Sequence, residues 1–336
     1  MIAEAIKKVV EGKNLTEEEM VSAFDAIMSG NATPAQIGCF LTALRLKGET
    51  EEEITGAARV MRAKAEKVNA GENVVDTCGT GGDGAGTFNI STASALVTAG
   101  AGIKVAKHGN RAASSRCGSA DVLTALGVKV DAEPPVVEKC IKEAGIGFMF
   151  APRMHSAMKH AIGPRREIGI RTVFNVLGPL TNPAGAKRQV MGVFSSSFTA
   201  LLARVLARLG SEHAMVVHGA DGIDEITLTG NTYVAEYKNG NLKEYILNPT
   251  EFGFALCSPA DLKGGDAEQN AQIVREVLKG KKGPARDVTL LNAGAAIMVS
   301  GKVSSLKEGI EIATESIESG KAEKALQALV EISNQK

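Results

Sequence analysis

Residues 76–92 read DTCGTGGDGAGTFNIST, with five glycines and no bulky aliphatic side chain before Ile90. The run lies between an apolar Val74-Val75 pair and the helix-like STASALVTAG. A backbone without Cβ atoms can curl around an anion and turn its N–H groups inward. The start of the following helix adds a partial positive charge. On the glycines alone, a phosphate or diphosphate cradle and a flexible surface turn are equally good readings. Cys78 sits in this run with no base beside it in sequence, which is expected of a small buried thiol rather than a nucleophile.

Thirty residues on, KHGNRAASSRCGS (107–119) follows the strand-like IKVA and brings Lys107, His108, Arg111 and Arg116 together with Asn110 and several serines. Cationic and small hydrogen-bonding side chains after a strand are what a second phosphate group requires. Two such loops favour the phosphate reading over a solvated turn. His218-Gly219-Ala220-Asp221-Gly222-Ile223-Asp224-Glu225 follows a third strand-like run, Met215–Val217. In a loop, Asp224 and Glu225 can converge on one hard cation, and carboxylate and phosphate oxygens together suit Mg2+. A fourth segment, residues 153–171, carries Arg153, Lys159, Arg165, Arg166 and Arg171 against Glu167 alone. A pocket for an organic carboxylate explains that excess, and phosphate or RNA contact explains it as well. His155 and His160 in the same segment are expected to be structural.

These loops need a scaffold, and its pattern changes near residue 72. Before it, Thr16 with Glu19 and Thr50 with Glu53 form capping boxes, and Thr33-Pro34 opens a third amphipathic helix. Residues 1–70 thus read as a small helical domain with a marginal core, which must dock on a second domain or another subunit. From 72 to 336, β-branched runs (Val74-Val75, Ile103–Val105, Val128–Val130, Phe148–Phe150, Val190–Phe194, Met215–Val217) alternate with helical stretches. That alternation predicts an α/β domain with a mostly parallel central sheet, whose ligands sit beyond the strand carboxyl ends. Asn239-Gly240 between strand-like arms predicts a hairpin.

The bulk properties narrow the class. The 336 residues are 44% apolar, and 38 Lys plus Arg balance 38 Asp plus Glu. Zero net charge argues against a dedicated nucleic-acid binder. No apolar run reaches the ~20 residues of a membrane span, and five scattered cysteines suit a reducing, cytoplasmic setting better than a disulfide framework.

In order and spacing, GTGGD (79–83), NIST (89–92), KHGNRAASS (107–115), GPRREIGIRTVFNVLGPLTNP (163–183), DGIDE (221–225) and NAGAAIMVSG (292–301) closely resemble the anthranilate phosphoribosyltransferase family of the tryptophan pathway. The resemblance implies a helical domain joined by about residues 170–185, an active site in the cleft between the domains, and a homodimer formed through the helical domain. It implies transfer of 5-phosphoribosyl from 5-phosphoribosyl-1-diphosphate (PRPP) to the anthranilate amine, with Mg2+ as cofactor. Gly79, Gly82, Asp83, Thr87, Asn89, Ile90, Ser91, Thr92, Lys107, His108, Gly109, Asn110, Arg111, Ala112, Ala113, Ser114, Ser115 and Ser119 would line the donor site. Gly79, Asn110 and Arg165 would hold anthranilate, and Ser91, Asp224 and Glu225 the metal. No residue is assigned a certain catalytic role, with Lys107 and His108 the candidates. A pyrimidine nucleoside phosphorylase shares the fold but has a KxSxGGxGD-type loop, whereas the lysine loop here is KHGNRAASS. A nucleic-acid-binding relative fits the neutral charge poorly.

Overall fold

The computed structural model describes residues 2–112 and 116–335. The chain opens with four helices: α1 (Ile2–Val10), α2 (Glu17–Met28), α3 (Pro34–Lys47) and α4 (Glu51–Lys64). Thr16, Thr33 and Thr50 cap α2, α3 and α4 in full capping boxes with Glu19, Gln36 and Glu53, so side chains satisfy the free amides of each first turn. Glu53 does more than cap. It is fully buried, accepts from the Leu15 and Thr50 amides, and pairs with Lys47 at 2.9 Å.

Beyond residue 72 the chain alternates. The first half runs β1 (Val75–Gly79), α5 (Ile90–Gly100), β2 (Val105–Gly109), α6 (Ser119–Ala125), α7 (Pro134–Glu143), β3 (Ile146–Phe150), α8 (Ala151–Met154), α9 (Lys159–Ile168) and α10 (Phe174–Leu180). The second runs β4 (Arg188–Gly192), α11 (Thr199–Arg208), β5 (His213–Gly219), β6 (Thr232–Lys238), β7 (Asn241–Leu247) and α12 to α15 (Ala267–Leu278, Pro284–Val299, Leu306–Glu318, Lys321–Ser333). Among the described residues the strands form one seven-stranded sheet in the order β3-β2-β1-β4-β5-β6-β7. The first five are mutually parallel, and β6 and β7 add an antiparallel edge. Asn239 and Gly240, with φ of 49° and 86°, make the tight turn between them, as the Asn-Gly pair predicts.

Period-2 alternation sorts the two faces of the sheet. Val75, Val190, Met215 and Val217 pack with α5 and α12 to α15. Met191, Ala214 and Val216 point the other way, into one cluster with α11, α10 and the N-terminal helices. The N-terminal bundle therefore docks on the α/β unit through a shared apolar interior, and Phe174, Val176, Leu177 and Leu180 of α10 are part of it.

Three expectations change. Val128–Val130 is not a strand. Val128 and Val130 are buried, but the Lys129 amide donates to Ser333 Oγ of α15, so a helix receives the alternation in place of a neighbouring strand. Lys107 and His108 belong to strand β2 rather than to the loop after it. His218 likewise closes β5, its Nδ1 against the Val193 carbonyl at 2.7 Å.

Removing one partner of a buried ion pair strands the other. Glu53→Ala should therefore lower the unfolding free energy by about 3 kcal/mol, read from the urea midpoint. Lys321→Ala, which breaks an exposed pair with Glu315, should leave that midpoint in place. Equal midpoints for Glu53→Ala and the parent chain would mean the buried pair contributes nothing.

Candidate active site

The glycine run leaves the C-terminal end of β1 and reaches α5 by a path that only glycines follow easily: Gly81, Gly82, Gly84 and Gly86 all have positive φ, between 66° and 76°. At its start the constraint is steric. A Cβ on Gly79 would lie 2.2 Å from Asp224 Oδ2, and one on Gly192, at the end of neighbouring β4, would lie 1.5 Å from the Asp224 carbonyl. The two missing side chains open the slot into which the turn after β5 presses. Asp224 Oδ2 then accepts the Gly81 amide at 2.6 Å, and the Asp224 amide reaches Asp83 Oδ2 at 3.4 Å. Glu225 Oε1 accepts the Ser91 amide in the first turn of α5 at 3.1 Å, so a carboxylate already rests on that helix N-terminus. From α13, Asn292 fixes the far side of the turn by accepting the Ile226 amide and donating to the Ile226 carbonyl.

Asp83, Asp224 and Glu225 thus converge near Ser91, and the electrostatics carry the imprint. Burial, the Glu225 charge and the Asp83 charge push the Asp224 carboxyl well above the usual carboxylate range. Burial also raises Glu225, and Lys107 opposes that rise. Lys107 is only 2% exposed; its Nζ donates to the Thr77 carbonyl and, at 3.3 Å, to Ser91 Oγ. Beneath it, fully buried Asp76 accepts from Asn182 Nδ2 at 2.7 Å and from the His108 amide at 3.3 Å. Asn182 also donates to the Ala106 carbonyl, which ties the segment after α10 to β1 and β2. A group of carboxyls held above their ordinary pKa is short of positive charge. A divalent cation would supply it, and the hard oxygens of Ser91, Asp224 and Glu225 are of the kind that suits Mg2+. Among the described residues no cluster of three or more His, Cys, Asp or Glu is arranged for a metal.

The other residues singled out by the sequence divide into two groups. Thr87 bridges to Lys263, and the neighbouring Gly86 carbonyl accepts the Gly264 amide, so residues 262–264 clamp the end of the glycine run. Ile90 and Thr92 have buried side chains, and their amides already bond to the Phe88 and Asn89 carbonyls. Asn89 faces inward, donating to the Cys117 carbonyl and accepting from Asn270 at 2.9 Å. These three shape the loop from within. Gly109, Asn110, Arg111, Ala112 and Ser119 form a second turn at the end of β2. A Cβ on Gly109 would meet Ser119 Oγ at 2.2 Å, and Ser119 Oγ donates to the Asn110 carbonyl. Asp121 closes this turn by accepting the Ala112 and Gly118 amides and pairing with Arg111. Burial works against its ionisation, but these donors prevail and its pKa falls. Ala113, Ser114 and Ser115 lie outside the described residues.

Arg165, on α9, lies over the Phe174 ring with its guanidinium carbon 4.7 Å from the centroid. Burial lowers its pKa, and it has no ion-pair partner among the described residues. Six residues on, Arg171 stacks on Phe194 at 4.4 Å and donates to the Gly82 carbonyl, linking the cationic segment to the glycine loop. Sequence reasoning included Arg171 in a basic cluster but gave it no task, and it passed over Asp76, Asp121 and Asn182. Asp76 and Asn182 meet each other across more than a hundred residues, and Asp121 acts mainly on backbone amides. Only the Asp and Asn in apolar surroundings hinted at them.

His108 is buried against the Gly178 carbonyl, which its Nδ1 meets at 3.1 Å; burial first, then the nearby His155, brings its pKa to about 3. Burial lowers His155 to about 4. A carbonyl only accepts, so the proton of neutral His108 sits on Nδ1 and its Nε2, without a partner among the described residues, is a free lone pair. Cys78 is buried, receives Gln189 Nε2 and is pushed well up by burial, consistent with an inert thiol.

The arrangement has known counterparts. Residues 71–323 match the glycosyl transferase family a/b domain, and residues 3–65 match the helical bundle domain of that family. The chain is 58% identical to an anthranilate phosphoribosyltransferase of Acetivibrio thermocellus over 99% of its own length and 97% of that protein. It superposes on the crystal structure of the anthranilate phosphoribosyltransferase of Thermus thermophilus with a TM-score of 0.94, 46% identity, and coverage of 98% and 99% of the two chains. The Saccharomyces cerevisiae enzyme in complex with PRPP and Mg gives a TM-score of 0.90 at 30% identity, over 99% of this chain and 97% of that one. With matches at this identity running the length of the molecule, the chain belongs to the anthranilate phosphoribosyltransferase family.

Proposed function

We propose that the protein transfers the 5-phosphoribosyl group of PRPP to the amine of anthranilate, with Mg2+ at Ser91, Asp224 and Glu225. The observation that carries this reading is the meeting of three chain segments: the glycine run, the start of α5, and an acidic turn whose carboxyls are raised for want of a cation. In the reaction, the bond from the anomeric carbon to the diphosphate oxygen breaks and its electron pair leaves with the diphosphate. The amine lone pair forms the new C–N bond, and one amine proton is released. Bound Mg2+ would neutralise diphosphate charge and so ease its departure.

The protein's own groups hold and orient. The glycine run and the turn built by Gly109, Asn110, Arg111, Ala112 and Ser119 bring backbone and small polar groups to the sugar phosphate and diphosphate. Lys107 supplies a fixed positive charge from below, pre-organised because its shell is protein rather than water. Arg165, held by Phe174 and free of a carboxylate, suits the carboxylate of anthranilate, and Asn110 stands exposed at the end of the β2 turn beside it in role. The aromatic amine is uncharged at neutral pH, so attack needs no strong base. With pKa values near 3 and 4, His108 and His155 are neutral there and act as spacers and weak acceptors rather than acids. Positioning accounts for most of the rate.

The N-terminal helices also carry exposed apolar side chains, Val10 at 64% and Leu46 at 83% exposure. They support a homodimer formed through the helical domain; a cytoplasmic setting is inferred from the five scattered cysteines.

The direct test follows anthranilate fluorescence with protein, PRPP and Mg2+. The emission should fall only in the complete mixture, and loss without PRPP would refute the transfer. Arg165→Ala should raise the KM for anthranilate roughly thirtyfold, about 2 kcal/mol for a charged hydrogen bond, and change that for PRPP far less. Equal rises would remove Arg165 from the acceptor site. Asp224→Asn with Glu225→Gln should flatten the Mg2+ dependence of turnover, and an unaltered dependence would place the metal elsewhere. Because the native carboxyls are raised above their unfolded values, the stability they contribute is present at low pH. It is lost as pH rises from about 4 through their folded pKa values. Mg2+ should therefore raise the melting temperature more at pH 8 than at pH 5, roughly, and the Asn/Gln variant should lose that difference.

A further inference from the structure

The catalytic loops occupy the carboxyl ends of the parallel strands. At the opposite end lies a cavity of about 420 Å³, lined by Arg188, His213, Lys238, Asn239, Lys302 and Ser304 among others. Its walls come from four places in the chain. Arg188 and His213 open β4 and β5, Lys238 ends β6 opposite His213, and Lys302 and Ser304 lie between α13 and α14. The volume is within the range of small-molecule sites and well above what one inorganic ion fills.

The charges there are not matched. Arg188 donates Nη1 to the Val299 carbonyl and pairs through Nη2 with Glu212 at 3.1 Å, but Glu212 also serves Lys187 at 3.5 Å. Lys302 Nζ donates only to a neutral partner, the Ala101 carbonyl, at 2.6 Å. The Lys238 side chain makes no hydrogen bond or ion pair among the described residues, though its charge acts on Glu236. Glu236 is occupied by His213 Nε2 at 2.7 Å and by the Tyr245 hydroxyl at 3.0 Å. Glu308, beside Ser304, is held by the Ser304 and Ser305 amides and hydroxyls at the start of α14. Cations are left in excess around a concave, partly polar wall, and two structural groups in it, His213 Nδ1 and Arg188 Nε, are buried without partners among the described residues.

We propose that this cavity binds a phosphate-bearing small molecule, and that its occupancy is felt at the Asp224–Glu225 turn. Arg188 and the two lysines take the phosphate by charge-assisted hydrogen bonds, and the remaining volume takes the organic body. Two short routes reach the turn, each a secondary-structure element joined to the turn by packing or by hydrogen bonds. Arg188 begins β4, and Gly192 at the other end of that strand is where the Asp224 carbonyl presses. Arg188 also holds the Val299 carbonyl at the end of α13, the helix whose Asn292 clamps Ile226 next to Glu225.

Calorimetric titration of the full-length protein with inorganic phosphate and, separately, with adenosine monophosphate tests this. Wild-type protein should bind a second equivalent beyond the catalytic site. Lys238→Ala/Lys302→Ala should lose that equivalent by at least tenfold in affinity, while turnover without added ligand stays unchanged. Tighter binding of the nucleotide assigns the site to an organic phosphate; equal binding assigns it to the free ion. With PRPP saturating, the added ligand should shift the Mg2+ concentration for half-maximal turnover at least twofold in wild type and not in the double variant. A single equivalent in wild type, or an unchanged second equivalent in the variant, overturns the site. Binding with no Mg2+ shift overturns the linkage. None of these results alters the anthranilate fluorescence test, so failure here is separate from failure of the transferase reading.

Discussion

A lysine ammonium enclosed by protein sets the terms for everything around it. Lys107 has given up its water, a cost of several kcal/mol that only fixed partners can offset. Those partners come from three directions: the Thr77 carbonyl on β1, the Ser91 hydroxyl at the start of α5, and the charges of Asp76 and Glu225. Satisfying one cation therefore locks a strand, a helix start and a loop into one register. Asp76 in turn needs donors: the His108 amide provides one from β2, and Asn182 provides the other from the segment that follows α10 on the helical side. The chain of dependence starts at one buried charge and ends at the contact between the two parts of the molecule.

The second constraint is room. Two glycines on adjacent parallel strands, Gly79 and Gly192, leave a slot that the Asp224 backbone and carboxylate fill. Any side chain there would force the acidic turn outward, away from the Gly81 amide and from Ser91. The carboxyls are consequently held closer together and drier than carboxylates tolerate unaided, which raises them. The protein stores electrostatic repulsion in this turn, and a cation bound there would relieve it.

Much of this was readable from residue types alone. Small residues after β-branched runs marked the glycine loop and the acidic turn, capping boxes marked α2 and α4, and Asn239-Gly240 marked the hairpin. Other features escaped for a common reason: local sequence carries no information about which distant surface receives a pattern. Val128–Val130 alternates like a strand, yet α15 meets it. Lys107 and His108 look like loop cations, yet pairing with β3 draws them into β2. Asn89 reads as a free loop amide, yet it bonds the Cys117 carbonyl and Asn270 and so ties the glycine run to two distant segments. Asp121 reads as one more helical acid, and its work on the Ala112 and Gly118 amides shows only in three dimensions.

The placement of the two substrates follows from how the parts are joined. The groups proposed for the donor lie at strand ends of the α/β unit, a scaffold made stiff by its parallel sheet. Arg165, proposed for the acceptor, sits on α9, whose neighbours include α2 and α3 of the helical bundle. Arg171 spans the two by stacking on Phe194 and donating to Gly82. A single hydrogen bond and one stacked cation hold far less than the apolar interior shared by α10, α11 and the bundle. The bundle is thus anchored by its packed interior while the tie across the glycine loop is weak enough to yield. That asymmetry suits the proposed transfer, in which two unlike substrates have to be brought together between the two parts.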